Sequence, residues 1–327
     1  MRQIVILGVL LLTLFLLSCD EMMTEGDGPY YYTDSDSLFV CNFDGSGKYA
    51  LPYVNSYYNL FSPDGKKVIS IFSDSILTYD IDTNSLSVFH TPHLLFPGVS
   101  RPNSIPQGSN IVCFDTMDCD IYTFDYISGI LSNITNTPNI KETNPIQHGN
   151  NIWFAEYHRG LNLSNFGKYD LTSCTVDTVF SDDNLFTDLL VSNCGKYLFF
   201  TKFNIAGIFR VNSDGTGILH FTIGSRGPYD NVNLLVTPRY KDILMSDNHT
   251  SHGCDLFDYD GNHLKNIPDA AQCCITDDGT QIYYSTSRDI DNSRIYRFSL
   301  EDNTAHLIGS GCQVSVSSDG SRILYNR

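Results

Sequence analysis

The sequence is short of charge, of basic residues and of helical periodicity, and each shortage removes a class of protein. Charged residues make up 17% of the 327, against roughly 25% in ordinary soluble domains, which argues against a highly charged disordered chain. Lys and Arg are the scarcer sign, 20 against 37 Asp and Glu, for a formal net charge of −17. Nucleic-acid backbones are held through Lys and Arg, so no nucleic-acid partner is expected. Long apolar stretches at helical spacing are nearly absent, which disfavours a bundle. Gly-x-Ser-x-Gly occurs nowhere, and neither HExxH nor a paired CxxC is present. Those gaps remove the nucleophile elbow and the commonest zinc signatures.

Aromatic side chains are plentiful instead: 20 Tyr and 20 Phe. That weight suits packed strands. It is distributed in repeats. Ser62-Pro63-Asp64-Gly65 is a tight turn followed by the apolar strand Val68-Ile69. The same device recurs at Gly108, Gly149, Gly195, Gly279 and Gly320, with a degenerate copy at Tyr240, spaced 39 to 46 residues apart. A period near 42 fits a four-stranded propeller blade.

A second series runs out of step with the first. Strands such as Leu77-Thr78-Tyr79-Asp80, Ile121-Tyr122-Thr123-Phe124-Asp125 and Phe209-Arg210-Val211-Asn212 end in polar turns, and its first member is Leu38-Phe39-Val40-Cys41-Asn42 with Asp44-Gly45. Asp-Gly supplies the positive φ that tight hairpins need. The last turn of the first series has inner strands without outer ones, and the first member of the second has the reverse. An all-β, single seven-bladed β-propeller over 30–327 is therefore expected, closed by a composite blade from both termini. Tyr30–Thr33 then duplicates the strand that Arg322–Tyr325 provides. Second strands such as Tyr197-Leu198-Phe199-Phe200 are continuously apolar, as strands covered on both faces require.

Near the start of the sequence, Arg2 precedes an apolar run from Ile4 to Leu17, too short for a comfortable membrane span of about 20 residues and suited to a signal-peptide core. Leu16-Leu17-Ser18-Cys19 resembles a bacterial lipobox. That resemblance implies a lipoprotein signal peptide over 1–18, acylation of Cys19, and attachment of the protein to the cell-envelope membrane, on the periplasmic face or the cell surface. Residues 19–29 read as an acidic flexible tether. The Ser-Pro-Asp-Gly turn with its following strand, and Asp214-Gly215-Thr216, resemble TolB-type, WD40-like propeller repeats over nearly all of the chain after the leader. Only Ser62–Gly65 matches the turn in full. The resemblance implies a platform that holds protein partners at the channel mouth.

No catalytic residue and no cofactor is assigned. Gly45-Ser46-Gly47-Lys48 superficially resembles a phosphate loop, but Tyr49 stands where Ser or Thr is needed, so a hairpin turn is expected. His249, His252 and Cys254 form the densest group of metal-ligand types, weighed against a plain polar loop, and the loop is preferred. Ten cysteines give no disulfide framework; Cys113 and Cys119 flank one hairpin, and the rest read mainly as small buried residues. Tyr57-Tyr58, Tyr283-Tyr284 and Trp153 suit either a sugar or peptide site or the core. The expected function is non-catalytic binding of an envelope protein or glycan by a monomer. The alternative is a propeller enzyme, lyase or hydrolase, acting at the channel mouth.

Overall fold

A computed structural model describes residues 37–54, 58–72, 74–91, 95–97, 108–115, 118–138, 140–158, 163–192, 194–203, 205–221, 232–236, 242–247, 253–276, 278–287, 292–317 and 320–327. Cys19, the leader, the tether and Tyr30–Thr33 lie outside them. The chain enters on β1 (Ser37–Asn42) and β2 (Tyr49–Val54). Blade 1 follows with β3 (Tyr58–Phe61), β4 (Lys67–Ile71), β5 (Ser75–Asp80) and β6 (Ser85–His90). Blade 2 holds β7 (Leu95–Pro97), β8 (Asn110–Asp115), β9 (Ile121–Asp125) and β10 (Leu131–Asn133). Blade 3 holds β11 (Ile140–His148), β12 (Asn151–His158), β13 (Leu163–Asp170) and β14 (Thr175–Asp182). Blade 4 holds β15 (Phe186–Val191), β16 (Tyr197–Lys202), β17 (Ile205–Asn212) and β18 (Leu219–Phe221). Blade 5 holds β19 (Val232–Val236), β20 (Asp242–Asp247), β21 (Cys254–Asp258) and β22 (His263–Ile267). Blade 6 holds β23 (Gln272–Ile275), β24 (Gln281–Ser285), β25 (Arg294–Ser299) and β26 (Ala305–Ser310), and the chain ends on β27 (Cys312–Val316) and β28 (Arg322–Asn326).

These strands form seven four-stranded antiparallel sheets. Six are contiguous in the chain. The seventh has the order β2-β1-β28-β27, so both ends of the described chain share one sheet. Leu38 pairs with Asn326 and Asn42 with Arg322 across that junction. Each sheet touches the next, and β27 meets β3 to close the ring, with β3, β7, β11, β15, β19, β23 and β27 innermost. The fold is an all-β propeller.

The core lies between blades, as the continuous apolar second strands require. One cluster joins blades 1 and 2 through Ile69, Ile111 and Phe124, and another joins blades 2 and 3 through Phe114, Ile152 and Phe154. The largest stacks Phe166 of blade 3 on Phe186 of blade 4, with Phe200 of blade 4 edge-on to it. Tyr283, Tyr284 and Trp153 are buried core residues, while Tyr57 lies outside the described residues. The outer strands β6, β14 and β26 are mostly exposed.

The described repeating turns fall at one end of the ring, the base; the copy at Tyr240 lies outside the described residues. Gly65, Gly108, Gly149, Gly195, Gly279 and Gly320 share φ of 60 to 70°, where only glycine is unstrained. Ser62, Ser192, Thr276 and Ser317 each accept, on the side-chain hydroxyl, the backbone N–H five residues on, at 2.9 to 3.2 Å. In six sheets the residue after the third strand donates its N–H into the first turn, from Phe43, Ile81, Tyr126, Leu171, Ser213 and Leu300 at 2.8 to 3.1 Å. Gly45 and Gly47 also have positive φ, and Asn42 N–H bonds Ser46 O across the same turn. Gly45–Lys48 is thus a hairpin.

Candidate functional site

The opposite end, the mouth, carries the second-to-third hairpins and the crossings between blades. Among the described residues, its polar groups concentrate where blade 3 faces blade 2. Glu142 on β11, Glu156 on β12, Asn165 on β13 and Ser181 on β14 are register partners in one row across the sheet. Side chains alternate faces along a strand, so Glu156 shares its face with Phe154 and Ile152, which pack on blade 2. The row is the rim of that apolar interface. Gly167 makes room for it: a Cβ there would lie 2.5 Å from the Phe154 ring and 2.7 Å from Glu156 Oε1. The β11 register shifts between Thr143 and Ile146, with Asn144 at φ 58°, beside the row.

Glu142 is fully buried. The hydroxyls of Thr135 and Thr137, from the crossing between blades, donate to its two carboxylate oxygens, and its N–H donates to Cys119 O at 2.9 Å. Burial pushes its carboxyl up to about 7; the two threonine bonds oppose that shift, and the neighbouring Asp120 and Glu156 add to it. Asp120 accepts from Asn133 Nδ2 at 2.7 Å and from Thr137 N–H at 3.0 Å. Tyr122 donates its hydroxyl to Asp118 at 2.5 Å, and burial followed by that bond raises the phenol. On the far side of Glu142, Glu156 Oε2 accepts from Asn165 Nδ2 at 3.1 Å and lies 3.5 Å from His158 Nε2. Asn165 Nδ2 is also 2.7 Å from His158 Nε2. An unpaired carboxylate in such a place would be costly, and these donors are what stabilise the row.

Blade 5 repeats part of this arrangement. Asp255 stands at the start of β21 as Asp120 stands before β9, and accepts from Asn266 Nδ2 at 2.8 Å, with His263 Nε2 at 2.9 Å. The shared Cys-Asp dipeptides at 119–120 and 254–255 are the sequence sign of that equivalence. Blade 4 places Lys202 against Asp182 of blade 3, both largely buried.

Of the metal-ligand candidates, His249 and His252 lie outside the described residues. Cys254 is bonded to Cys273 of blade 6 as a disulfide, and a disulfide sulfur offers no thiolate to zinc. Cys113 and Cys119, expected as a possible pair, are not joined to each other and are both buried; Cys41, Cys274 and Cys312 are buried too, while Cys174 and Cys194 are exposed. The Cys254–Cys273 link escaped the sequence because it joins two blades, not one hairpin. Among the described residues no three His, Cys, Asp or Glu side chains converge on a metal position. The Glu142–Glu156–Asn165 row was not singled out from the sequence either. Its signal is a glutamate inside the apolar run Ile152-Trp153-Phe154-Ala155-Glu156, where a buried strand has no ordinary use for one.

No protein-family model and no curated protein matches the chain. Solved structures do. An oligogalacturonate lyase in complex with manganese is similar with a TM-score of 0.61 and 10% identity, covering 90% of this chain and 90% of that one. The Swd1 (Cps50) β-propeller domain of Myceliophthora thermophila gives a TM-score of 0.55 at 11% identity, covering 83% of this chain and 96% of that one. TolB from Acinetobacter baumannii is similar at a TM-score of 0.48 and 13% identity, covering 79% and 78%. At such identities the first two likenesses show the propeller fold alone.

Proposed function

We propose that the protein is a non-catalytic binding propeller of the cell envelope, anchored through lipid on Cys19, that holds a protein or glycan partner at its mouth end. The observation that supports binding over catalysis is how the mouth carboxylates are used. Glu142, Glu156, Asp120 and Asp255 each already accept hydrogen bonds from protein donors. Groups held in this way brace the loops that a partner touches. A general acid or base must instead reach a substrate proton.

One observation favours the alternative, an enzyme such as a lyase. The Glu142 carboxyl, brought to about 7 by burial, has the proton affinity that acid–base chemistry uses. Structural likeness to an oligogalacturonate lyase names a first substrate to try.

Two experiments test the proposal. Cross-linking in intact membranes followed by purification of the full chain should return one defined envelope partner or glycan, and replacing Cys19 with Ala should release the protein from membranes and block acyl labelling. Turnover of oligogalacturonate that disappears in Glu142→Gln would replace the binding reading with the enzymatic one. Unchanged membrane retention of Cys19→Ala would refute the lipid anchor.

A further inference from the structure

In the binding reading Glu142 only braces a loop, yet it is a buried carboxyl placed where the chain passes from blade 2 to blade 3. Its contacts hold that crossing, residues 134–138, against β11. The hydroxyls of Thr135 and Thr137 meet its two oxygens, the second at 2.7 Å. The Thr135 hydroxyl also accepts from Ile121 N–H at 3.0 Å, and Thr137 N–H donates to Asp120 at 3.0 Å. A hydroxyl both donates and accepts, so Thr137 can take from a protonated carboxyl the bond it gives to a carboxylate. Glu142 therefore fits the crossing in either form.

The surroundings are short of positive charge. On blade 2, Asp120 bears on Glu142 from before β9, Asp118 is taken by the Tyr122 hydroxyl, and Tyr122 itself packs on the blade 1 side. Asp115 follows Phe114, which faces blade 3, so alternation turns it toward blade 1 as well. From β12 come Glu156 and, two residues on, His158, whose side chain is 24% exposed. Lys141 pairs with Tyr157 on the other face of the sheet. Lys202 is held by Asp182, one residue past Ser181 of the row and so also on that other face. Asn165 and Ser181 bring no charge. Glu142, Glu156 and Asp120 are 0%, 5% and 6% exposed, and among the described residues no ammonium or guanidinium faces them. Three carboxylates so placed repel one another, and a buried acid in that position takes up a proton instead.

We propose that Glu142 is a proton-held latch on the crossing from blade 2 to blade 3, closed while its carboxyl is protonated and loosened when the proton leaves for solvent. The proton sits on Glu142, the most buried of the three, where burial leads and Asp120 and Glu156 add to a carboxyl raised to about 7. The sign follows from that rise. A raised carboxyl contributes stability that is fully present below its ordinary value of about 4.3 and is lost as pH rises through the folded value. Opening the crossing returns Glu142 to water, so the closed form is favoured in mild acid and weakened above about 7. The mouth then changes shape with pH at the blade 2–blade 3 edge, whatever it binds.

The test is hydrogen exchange of the full chain in detergent, read by mass spectrometry on peptides covering 133–142 from pH 5.5 to pH 8.5. Each rate is divided by the intrinsic rate of an open amide at that pH. Opening of this segment should rise about thirtyfold over the range and level off above neutrality, while a base-turn peptide covering 62–67 stays level. Glu142→Gln has the shape of the protonated acid and no titration, so its profile should be flat at the parent's acid level. A merely structural Glu142 would leave the slope unchanged in that variant. Infrared spectra at pH 6 should show a protonated carboxyl C=O stretch in the parent that Glu142→Gln lacks. If Glu142→Gln does not fold, two other variants carry the comparison. Asp120→Asn removes a neighbouring charge and should move the levelling point to lower pH; Thr137→Val removes a donor to the carboxylate and should move it higher. A level profile in the parent, the parent's slope in Glu142→Gln, or shifts opposite to these would each overturn the latch. None of these readouts depends on a partner, a substrate or the lipid anchor.

Discussion

The two ends of the ring are built on different rules. At the base, one turn is repeated: a glycine of φ near 65°, in four blades a Ser or Thr hydroxyl closing the loop, and in six sheets a backbone bond tying the first turn to the third strand. At the mouth, few contacts repeat among the described residues. Blade 3 carries a carboxylate row, blade 5 a single bracketed aspartate, and blade 4 a lysine that reaches back to blade 3. Repetition at one end fixes the spacing of the blades, which frees the other end to differ from blade to blade. Loops set on a rigid scaffold are where function tends to gather.

The sharpest way to break the base rule is to attack the one sheet that is not local in sequence. Ending the chain after Ser321 removes β28, which lies between β1 and β27. Two strands from opposite ends of the chain then lose their shared neighbour, and Arg322 no longer donates to Gly65 O of blade 1 at 2.9 Å. The expected outcome is a chain with no cooperative thermal transition and no near-ultraviolet circular dichroism. A cooperative transition near that of the parent would mean that the ring does not depend on its composite blade.

A smaller effect compares ion pairs at the two ends. Lys202–Asp182 at the mouth has side chains 7% and 14% exposed, against 28% and 21% for Lys67–Asp80 at the base. Both aspartates are held below the usual carboxylate range. Burial works against Asp182 but is outweighed by Lys202 and Asn184; for Asp80 the Lys67 bond leads, followed by Thr83. A depressed carboxylate contributes stability that is present above its unfolded pKa of about 3.9 and is lost as pH falls through the folded value. Asp182→Asn should therefore cost about 1.5–3 kcal/mol at neutral pH, and the cost should be smaller at pH 3, where the unfolded carboxylate is largely protonated. Asp80→Asn should cost under about 1 kcal/mol, because water already screens that pair. Urea unfolding of the two variants at pH 7 and pH 3 measures both, and equal costs would remove the contrast between the ends.

The same contrast explains what was legible in the sequence. The base was readable because its demand is on backbone angles, and only a few residues meet it: Ser62-Pro63-Asp64-Gly65 and its copies mark the turns, and Val68, Leu198 and Ile323 mark the buried second strands. The composite blade could be inferred because the two repeat series start out of step. The candidate site could not be read in the same way. Glu142 and Glu156 are fourteen positions apart and become partners only when β11 folds back on β12 with its shift between Thr143 and Ile146. Asn165 comes from a third strand. Cys254 and Cys273 meet across two blades, a pairing that no hairpin spacing announces. Local rules make turns visible, whereas long-range pairing decides which carboxylates share a face.

The smallest expected effect asks whether the base rule is conformational or a matter of packing. Gly149 and Gly195 occupy equivalent turns with φ of 60° and 67°. A Cβ on Gly149 would meet nothing within 4 Å, whereas one on Gly195 would lie 2.9 Å from Cε1 of the His148 ring. Gly149→Ala thus isolates the left-handed backbone, which costs an L-residue roughly 1–2 kcal/mol. Gly195→Ala adds a contact that the ring of His148 can relieve by turning. If conformation governs the base, the two alanine variants should lose about the same stability, and removing the ring with His148→Ala should change the Gly195→Ala cost by less than about 0.5 kcal/mol. If packing governs it, Gly149→Ala should be nearly silent and Gly195→Ala clearly destabilised. Denaturant unfolding of the two single variants and of the His148→Ala/Gly195→Ala pair decides between them, since additivity is expected only when the Cβ and the ring do not interact.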